Sequence, residues 1–362
     1  ESRVSATTRI EVVTEGILTR LIQADPELGG IGAIIFDEFH ERHLAGDLGA
    51  VLALDVQATL RPELRLLLMS ATLDGERVAA WLDAPRITSP GRSFPVRIEH
   101  PPARAQERLE HQLARVARQA LEETDGDVLA FLPGRREIAQ AQVLLQRVLP
   151  SPLAVAEGRG ESTHLEILPL HGELSLAEQQ AALAPAEANT RRIVLATNVA
   201  ESSITLPGIR AVIDSGLARE PRFDPNSGFT RLETVTISQA SADQRAGRAG
   251  RVAAGTTYRL WPQSRRLESV RSAEISQAEL SGLALELAAW GVTADSTAGL
   301  AWLDPPPAGA LAQARELLRA LEALADDGRI TTLGRRILEL GATPRLGAAA
   351  LRAPGPQRAL VA

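Results

Sequence analysis

The segment Ala33-Ile34-Ile35-Phe36-Asp37-Glu38-Phe39-His40 places a short apolar run directly ahead of two carboxylates. A run of this length, closed by polar residues, reads as a strand buried on both faces, the pattern of parallel sheets. Runs of the same kind follow at 64–69, 128–132, 165–170, 193–196 and 211–213. Helical patterns lie between them. Leu109, Leu113, Val116, Ala120 and Leu121 make one apolar stripe, and Ser175 with Glu178 forms a capping box ahead of another helix. Strand alternating with helix predicts an α/β architecture.

Pro and Gly cluster over 88–102, at Pro90, Gly91, Pro95, Pro101 and Pro102, and predict a linker between two α/β lobes. Segment 154–163 reads as a surface loop. After about residue 259 the strand rhythm stops. Leu- and Ala-rich helices over 277–290 and 311–325, a turn at Asp326-Asp327-Gly328 and a short strand over 329–332 predict a winged-helix-like module. The final twenty or so residues, with Pro344 and Pro354, read as the start of a helical domain. The expected divisions are 1–90, 91–258, 259–341 and 342–362.

Composition is that of a globular chain, with 44% hydrophobic and 23% charged residues. The absence of Cys excludes disulfides, thiolate metal sites and cysteine nucleophiles. No apolar run approaches the ~18 residues of a membrane span, and the start carries no signal-peptide pattern, so a soluble, cytoplasmic chain is expected. Net charge is −6, so a nucleic-acid site has to be a local basic channel in an acidic body. All 39 residues in the Lys-plus-Arg count are Arg.

A second stretch carries chemistry of its own: Gln244-Arg245-Ala246-Gly247-Arg248-Ala249-Gly250-Arg251 sets three arginines three residues apart. Guanidinium forks suit multidentate contact with phosphate oxygens, and small spacers let the backbone come close. A merely solvated helix face has no reason for Gly247 and Gly250, each about 1 kcal/mol worse than Ala in a helix. At Asp37 and Glu38, one carboxylate can hold Mg²⁺ through water while the next orients or deprotonates an attacking water. Ser70-Ala71-Thr72 ends another strand. Ala196-Thr197-Asn198-Val199-Ala200-Glu201-Ser202-Ser203 offers hydroxyls and an amide to phosphates or sugars, or simply caps a helix. Phe131-Leu132-Pro133-Gly134-Arg135-Arg136 ends a strand at a Pro-Gly turn, open to a phosphodiester backbone or no more than a loop.

In this order and spacing the segments resemble superfamily 2 helicases of the DEAH-box class, over essentially all 362 residues. Thr14-Glu15-Gly16-Ile17-Leu18 is similar to motif Ib, the acidic segment at 37–40 to motif II and Ser70-Ala71-Thr72 to motif III. Segments 131–136, 196–205 and 244–251 are similar to motifs IV, V and VI. Phe39, where the eponymous Ala would stand, and the continuation Glu41-Arg42-His43 resemble the bacterial HrpB-type branch. Leu303-Asp304-Pro305-Pro306 and Leu333-Gly334-Arg335 resemble the family's winged-helix region, and 219–238 its β-hairpin, with Asp224-Pro225-Asn226-Ser227-Gly228 as the turn.

The resemblance implies two RecA-like parallel-sheet lobes, the first partial, then a winged-helix module and the start of a helical domain. It implies an ATP-dependent helicase or translocase acting on single-stranded or duplex RNA, with DNA as the alternative, no membrane and protein partners left open. ATP and Mg²⁺ are expected between the lobes. Asp37 would hold Mg²⁺ with Glu38, which activates the lytic water, and Gln244 would assist. Arg248 and Arg251 would be arginine fingers on the β/γ-phosphates. His40, Ser203 and Thr205 would also meet the nucleotide, and Ser70 and Thr72 would couple hydrolysis to lobe movement. Thr14, Gly134, Arg135 and Thr197 would touch the RNA backbone.

Three departures stand out. No G-x-x-x-x-G-K-[ST] is present, and without Lys none is hidden in degenerate form. The family's P-loop lies upstream of motif Ib, so it is expected ahead of Glu1, and these 362 residues alone are expected to be inactive in hydrolysis. Leu183 stands near the place where relatives often carry an adenine-stacking aromatic, after Gln179-Gln180, and Pro207 where they often carry an acidic ribose contact. Two other classes stay open: a nucleic-acid-binding assembly module without ATPase activity, and an NTPase that remodels a protein partner.

Overall fold

Regular structure opens with helix α1 (Glu15–Ala24) and strand β1 (Ala33–Phe36), followed by α2 (Leu44–Thr59), β2 (Arg65–Leu68) and α3 (Gly75–Leu82). β1 pairs with β2 in parallel, from Ala33 opposite Arg65 to Phe36 opposite Leu68. A parallel pair needs a crossover, and α2 supplies it. Its Leu48, Val51, Leu52 and Val56 are buried. In this computed structural model the described residues are 4–5, 7–71, 75–89, 91, 94–149, 163–201, 204–224, 227–293 and 299–353. The chain divides into two compact units: Glu1–Arg86 with Arg222–Thr230 and Ser272–Ala362, and Ile87–Pro221 with Arg231–Arg271.

The second unit contains β3 (Val96–Glu99), α4 (Leu109–Glu123), β4 (Asp127–Phe131), α5 (Arg135–Val148), β5 (His164–Leu170), α6 (Leu176–Leu183), β6 (Thr190–Ala196) and β7 (Ile209–Asp214). After the hairpin strands β8 (Leu217–Asp224) and β9 (Phe229–Thr236) come α7 (Gln239–Gly247) and β10 (Gly255–Arg259). The six-stranded sheet runs β3-β10-β7-β4-β6-β5, and each pairing is parallel. Every residue of the central strand β4 is buried. One face packs on Leu113, Val116, Ile138 and Leu145, the other on Ala182, Leu206 and Ala249. The capping box at α6 forms as the sequence predicts, with Ser175 and Glu178 bonding each other's backbone.

Two strands depart from the sequence reading. β3 lies inside the stretch expected to be a linker, and β10 went unmarked. Val96-Arg97-Ile98-Glu99 is an edge strand with a half-polar pattern, and Pro95 before it sits where an edge strand tolerates proline. In β10 the buried Thr256 and Thr257 do the work that apolar residues do elsewhere, as β-branched side chains suit a pleated surface.

The C-terminal helices α8 (Ser281–Ala289), α9 (Ala308–Ala320), α10 (Thr332–Leu340) and α11 (Pro344–Arg352) belong to the first unit. They share one apolar core with α1, β1 and α2, in which Ile22, Phe36 and Leu52 join Leu285, Leu318 and Ile337. The expected strand at 329–332 is only an antiparallel bridge between Leu324 and Ile330. Thr331 instead caps α10, its hydroxyl accepting the Gly334 N–H at 3.0 Å. A Cβ on Gly334 would sit 2.2 Å from the Ala323 carbonyl oxygen. Backbone cannot yield there, so Gly334→Ala is expected to destabilise this unit by about 3 kcal/mol, read as a lowered urea midpoint at unchanged slope.

Several arginines act as staples. Arg191 donates to the carbonyls of Leu121, Thr124 and Gly126, and Arg61 to those of Glu27, Leu28 and Ile31. No helix among the described residues is long and apolar enough to cross a membrane.

Candidate functional site

β1 ends at Phe36, so Asp37 and Glu38 emerge at the carboxyl end of a parallel strand, where α/β folds place ligands. Asp37 is exposed and its Oδ1 accepts the Glu38 N–H at 2.8 Å. Glu38 adopts the left-handed conformation (φ 49°, ψ 34°), as does Arg42 (φ 53°). Each costs a non-glycine residue about 1–2 kcal/mol, and such strain gathers at functional positions. The sharp turn lets the Phe39 N–H donate to the Met69 carbonyl at 2.9 Å, while the Met69 N–H donates to Phe36 at 2.8 Å.

His40 Nδ1 accepts the Ala71 N–H at 3.3 Å and lies 3.4 Å from Glu38 Oε2. The acidic turn is thereby stitched to the strand end that carries Ser70, whose side chain is exposed. Thr72 lies outside the described residues. Thr14 is exposed at the start of α1, where its carbonyl accepts the Ile17 and Leu18 N–H groups. A hydrogen bond with Glu15, helped by the charges of Glu41 and Glu274, raises the His43 pKa against its burial. Phe39 is explained by packing: its ring stacks on Trp81 (centroids 6.0 Å apart, planes at 11°) and meets Phe36 edge-on at 6.3 Å.

On the second unit the three arginines at the end of α7 have three different environments. Arg245 is 1% exposed, pairs with Glu201 at 2.8 Å and Asp214 at 2.9 Å, and lies 4.7 Å over the Phe131 ring. Burial works against its charge, but the two carboxylates win and hold its pKa above the ordinary value. It is an anchor for the fold. Arg248 is also buried; its guanidinium donates to the carbonyls of Glu201 (from Nε, 3.0 Å) and Ile204. Arg251 is exposed and donates to Thr205 Oγ1 at 3.1 Å. Gln244 is half-buried on α7. Glu201, Ile204 and Thr205 are thus brought together with Arg245, Arg248 and Arg251 on one unit, while Ser203 lies outside the described residues.

The two glycines of this segment differ. A Cβ on Gly250 would fall 2.6 Å from the Phe94 carbonyl oxygen, whereas nothing lies within 4 Å of one on Gly247. Close packing of protein backbone, rather than of a ligand, accounts for Gly250.

Gly134 caps α5, next to Arg135, just past the end of β4. Thr197 follows β6, whose Ala196 pairs with Phe131 of β4, so the expected RNA-contact residues sit at neighbouring strand ends. Gly134 is buried beneath Arg219: a Cβ there would meet its guanidinium at 2.9 Å. Arg135 is exposed and paired with Glu173 at 2.5 Å. Sequence reasoning missed Arg219, Asp214 and the role of Glu201. Arg219 was legible only as the root of a hairpin, and no spacing rule links Asp214 to Arg245.

Leu183 packs against the apolar face that holds Leu170 and Ala200, and the Pro207 carbonyl accepts from Arg192 at 3.4 Å.

A parallel sheet bearing this arginine segment, with a strand-end acid pair on the other unit, is the arrangement of the helicase family. The family model for the helicase conserved C-terminal domain matches residues 105–253, and that for the helicase-associated HA2 winged-helix domain matches 314–341. The chain belongs to the HrpB-like DEAH/RHA helicases. It is 44% identical over 362 residues to the ATP-dependent RNA helicase HrpB of Escherichia coli (strain K12), covering 99% of this chain and 43% of that protein. Against the pre-mRNA-splicing factor ATP-dependent RNA helicase prp22 of Schizosaccharomyces pombe, identity is 38%, covering 96% of this chain and 29% of that one. The crystal structure of the Escherichia coli DEAH/RHA helicase HrpB matches with TM-score 0.87 and 43% identity, over 98% of this chain and 44% of that one. A second, described as the DExH-box NTPase HrpB, matches with TM-score 0.85 and 44% identity over 99% and 43%. The chain therefore spans less than half the length of the relatives it matches.

Proposed function

We propose that the full-length protein is an ATP-dependent RNA helicase or translocase, in which Asp37 and Glu38 form the hydrolytic acid pair. The observation that carries this reading is the acid pair at the end of β1, with Asp37 exposed and the half-buried Glu38 held in a strained left-handed turn. Carboxylate oxygens are the hard donors that Mg²⁺ takes, so the pair fits the metal; when bound, Mg²⁺ supplies charge neutralisation at phosphate oxygens. Glu38 accepts a proton from the attacking water, and Gln244 orients that water. Arg251 turns from the Thr205 hydroxyl to a phosphate oxygen, and Arg248 exchanges the Glu201 and Ile204 carbonyls for another. His40 holds the acidic turn, while Ser203 and Thr205 lie near the nucleotide.

Ser70 and Thr72 transmit the change at the acidic turn, and Thr14, Gly134, Arg135 and Thr197 hold the RNA backbone. In this reading residues 1–90 and 91–258 serve as the two motor lobes, 259–341 as the winged-helix module and 342–362 as the start of the next domain.

The reading has a direct test in the 362-residue chain itself. A phosphate cradle of this class needs a lysine, and these residues contain none. The chain alone is expected to release negligible phosphate from ATP, and the full-length protein to release it in a Mg²⁺-dependent, RNA-stimulated manner. Robust turnover by the short chain, or none by the long one, would contradict the assignment.

A further inference from the structure

The acidic turn is fastened at two points to one short segment ahead of α9. Trp81, which stacks on Phe39, donates from Nε1 to the Ala301 carbonyl at 3.0 Å. Arg42, 9% exposed, is forked between two carboxylates. Its Nε and Nη2 donate to Asp47 at 3.1 and 2.9 Å, and Nη1 pairs with Asp304 at 2.7 Å. Asp304 is also gripped by Arg77, which donates to the Leu303 carbonyl at 3.1 Å as well. Partial burial opposes ionisation of Asp304, yet hydrogen bonds from Arg77 and Arg42 hold its pKa below the ordinary value. On the far side of the turn the Glu274 N–H donates to the Arg42 carbonyl at 3.1 Å, and its carboxylate accepts the Leu44 N–H at 2.7 Å.

We propose that Asp304 is a positioning residue for hydrolysis, acting through Arg42 to hold the turn that presents Glu38. This rests on the reading of Asp37 and Glu38 given above. The C-terminal helices are joined to α2 and α1 elsewhere, through Trp290 to Asp55 at 2.8 Å and Gln23 to Glu286 at 2.6 Å. Residues 301–304 attach instead to Trp81 and Arg77 of α3 and to Arg42, which closes the turn, and Trp81 carries the contact on to Phe39. Arg42 is moreover one of the two left-handed residues that bracket the turn. A conformation that costs about 1–2 kcal/mol at each end persists only where neighbours over-determine it, and Asp47, Asp304 and Trp81 do so. The C-terminal helices thereby gain leverage over the hydrolytic carboxylate.

The test uses the full-length protein and three preparations: unsubstituted, Asp304→Asn and Arg77→Ala. Arg77 grips the same carboxylate from α3 and, among the described residues, its hydrogen bonds go to Leu303 and Asp304 rather than to the turn, so it controls for a purely structural loss. Asp304→Asn is expected to lower kcat for RNA-stimulated ATP hydrolysis by roughly 10- to 100-fold, as small displacements of a catalytic group do. The KM for ATP should stay within about twofold, and Arg77→Ala should leave kcat within about twofold. Wild-type kcat in Asp304→Asn overturns the proposal. Equal losses in both variants, tracking a fall in melting temperature, overturn it too by reducing Asp304 to a bolt. Failure of the parent reading shows itself separately, as an unsubstituted protein that does not hydrolyse ATP, and takes this proposal with it.

Discussion

Replacing Glu38 with Gln in the full-length protein lowers ATP turnover by at least about 10²-fold while nucleotide binding persists. A general base contributes on the order of 10²–10⁴-fold, and Gln keeps the size and hydrogen bonding of Glu but cannot take a proton. Binding should persist because Asp37, whose carboxylate also fixes the Glu38 N–H, is untouched. The turn itself should also persist, since its bonds from Phe39 to Met69 and from Ala71 to His40 do not involve the Glu38 side chain. Phosphate release measured beside equilibrium binding of a fluorescent ATP analogue separates the two effects. Retained turnover removes Glu38 from its role.

Arg251→Ala should cost about 10³-fold or more in turnover, the loss associated with an arginine finger. Its environment makes the experiment clean. The side chain is exposed and, among the described residues, hydrogen-bonds to the Thr205 hydroxyl. A surface substitution of this kind changes stability by no more than about 0.5 kcal/mol, so the melting temperature should not move. Arg245 cannot serve in the same way, since removing it would strand the buried carboxylate of Asp214. A variant Arg251→Ala with wild-type turnover would show that the outermost arginine does not act on phosphate.

How far the sequence speaks follows burial. Runs such as 128–132 and 193–196 announced their strands because both faces are covered and every position wants to be apolar. β3 and β10 escaped because an edge strand needs only one good face and because threonine serves there. At 329–332, Thr331 gave its hydroxyl to a helix start, so the expected strand shrank to a single bridge. The candidate site was legible as segments but not as contacts. The run of arginines was visible, yet the division of labour among Arg245, Arg248 and Arg251 depends on Glu201 and Asp214, which lie far away in sequence. Phe39 looked like a family variant, and its packing on Trp81 and Phe36 explains it.

The carbonyl-gathering guanidinium groups of Arg61 and Arg191 give the missing lysines a meaning. Each collects three main-chain oxygens from one short segment distant from it in sequence, which a planar five-donor fork can do and a single ammonium at the end of a flexible stem does poorly. A chain wired in this way is blind to amine chemistry at its side chains over these residues: lysine-directed acetyl transfer, ubiquitin conjugation and amine-reactive crosslinkers find no ε-amine to attack.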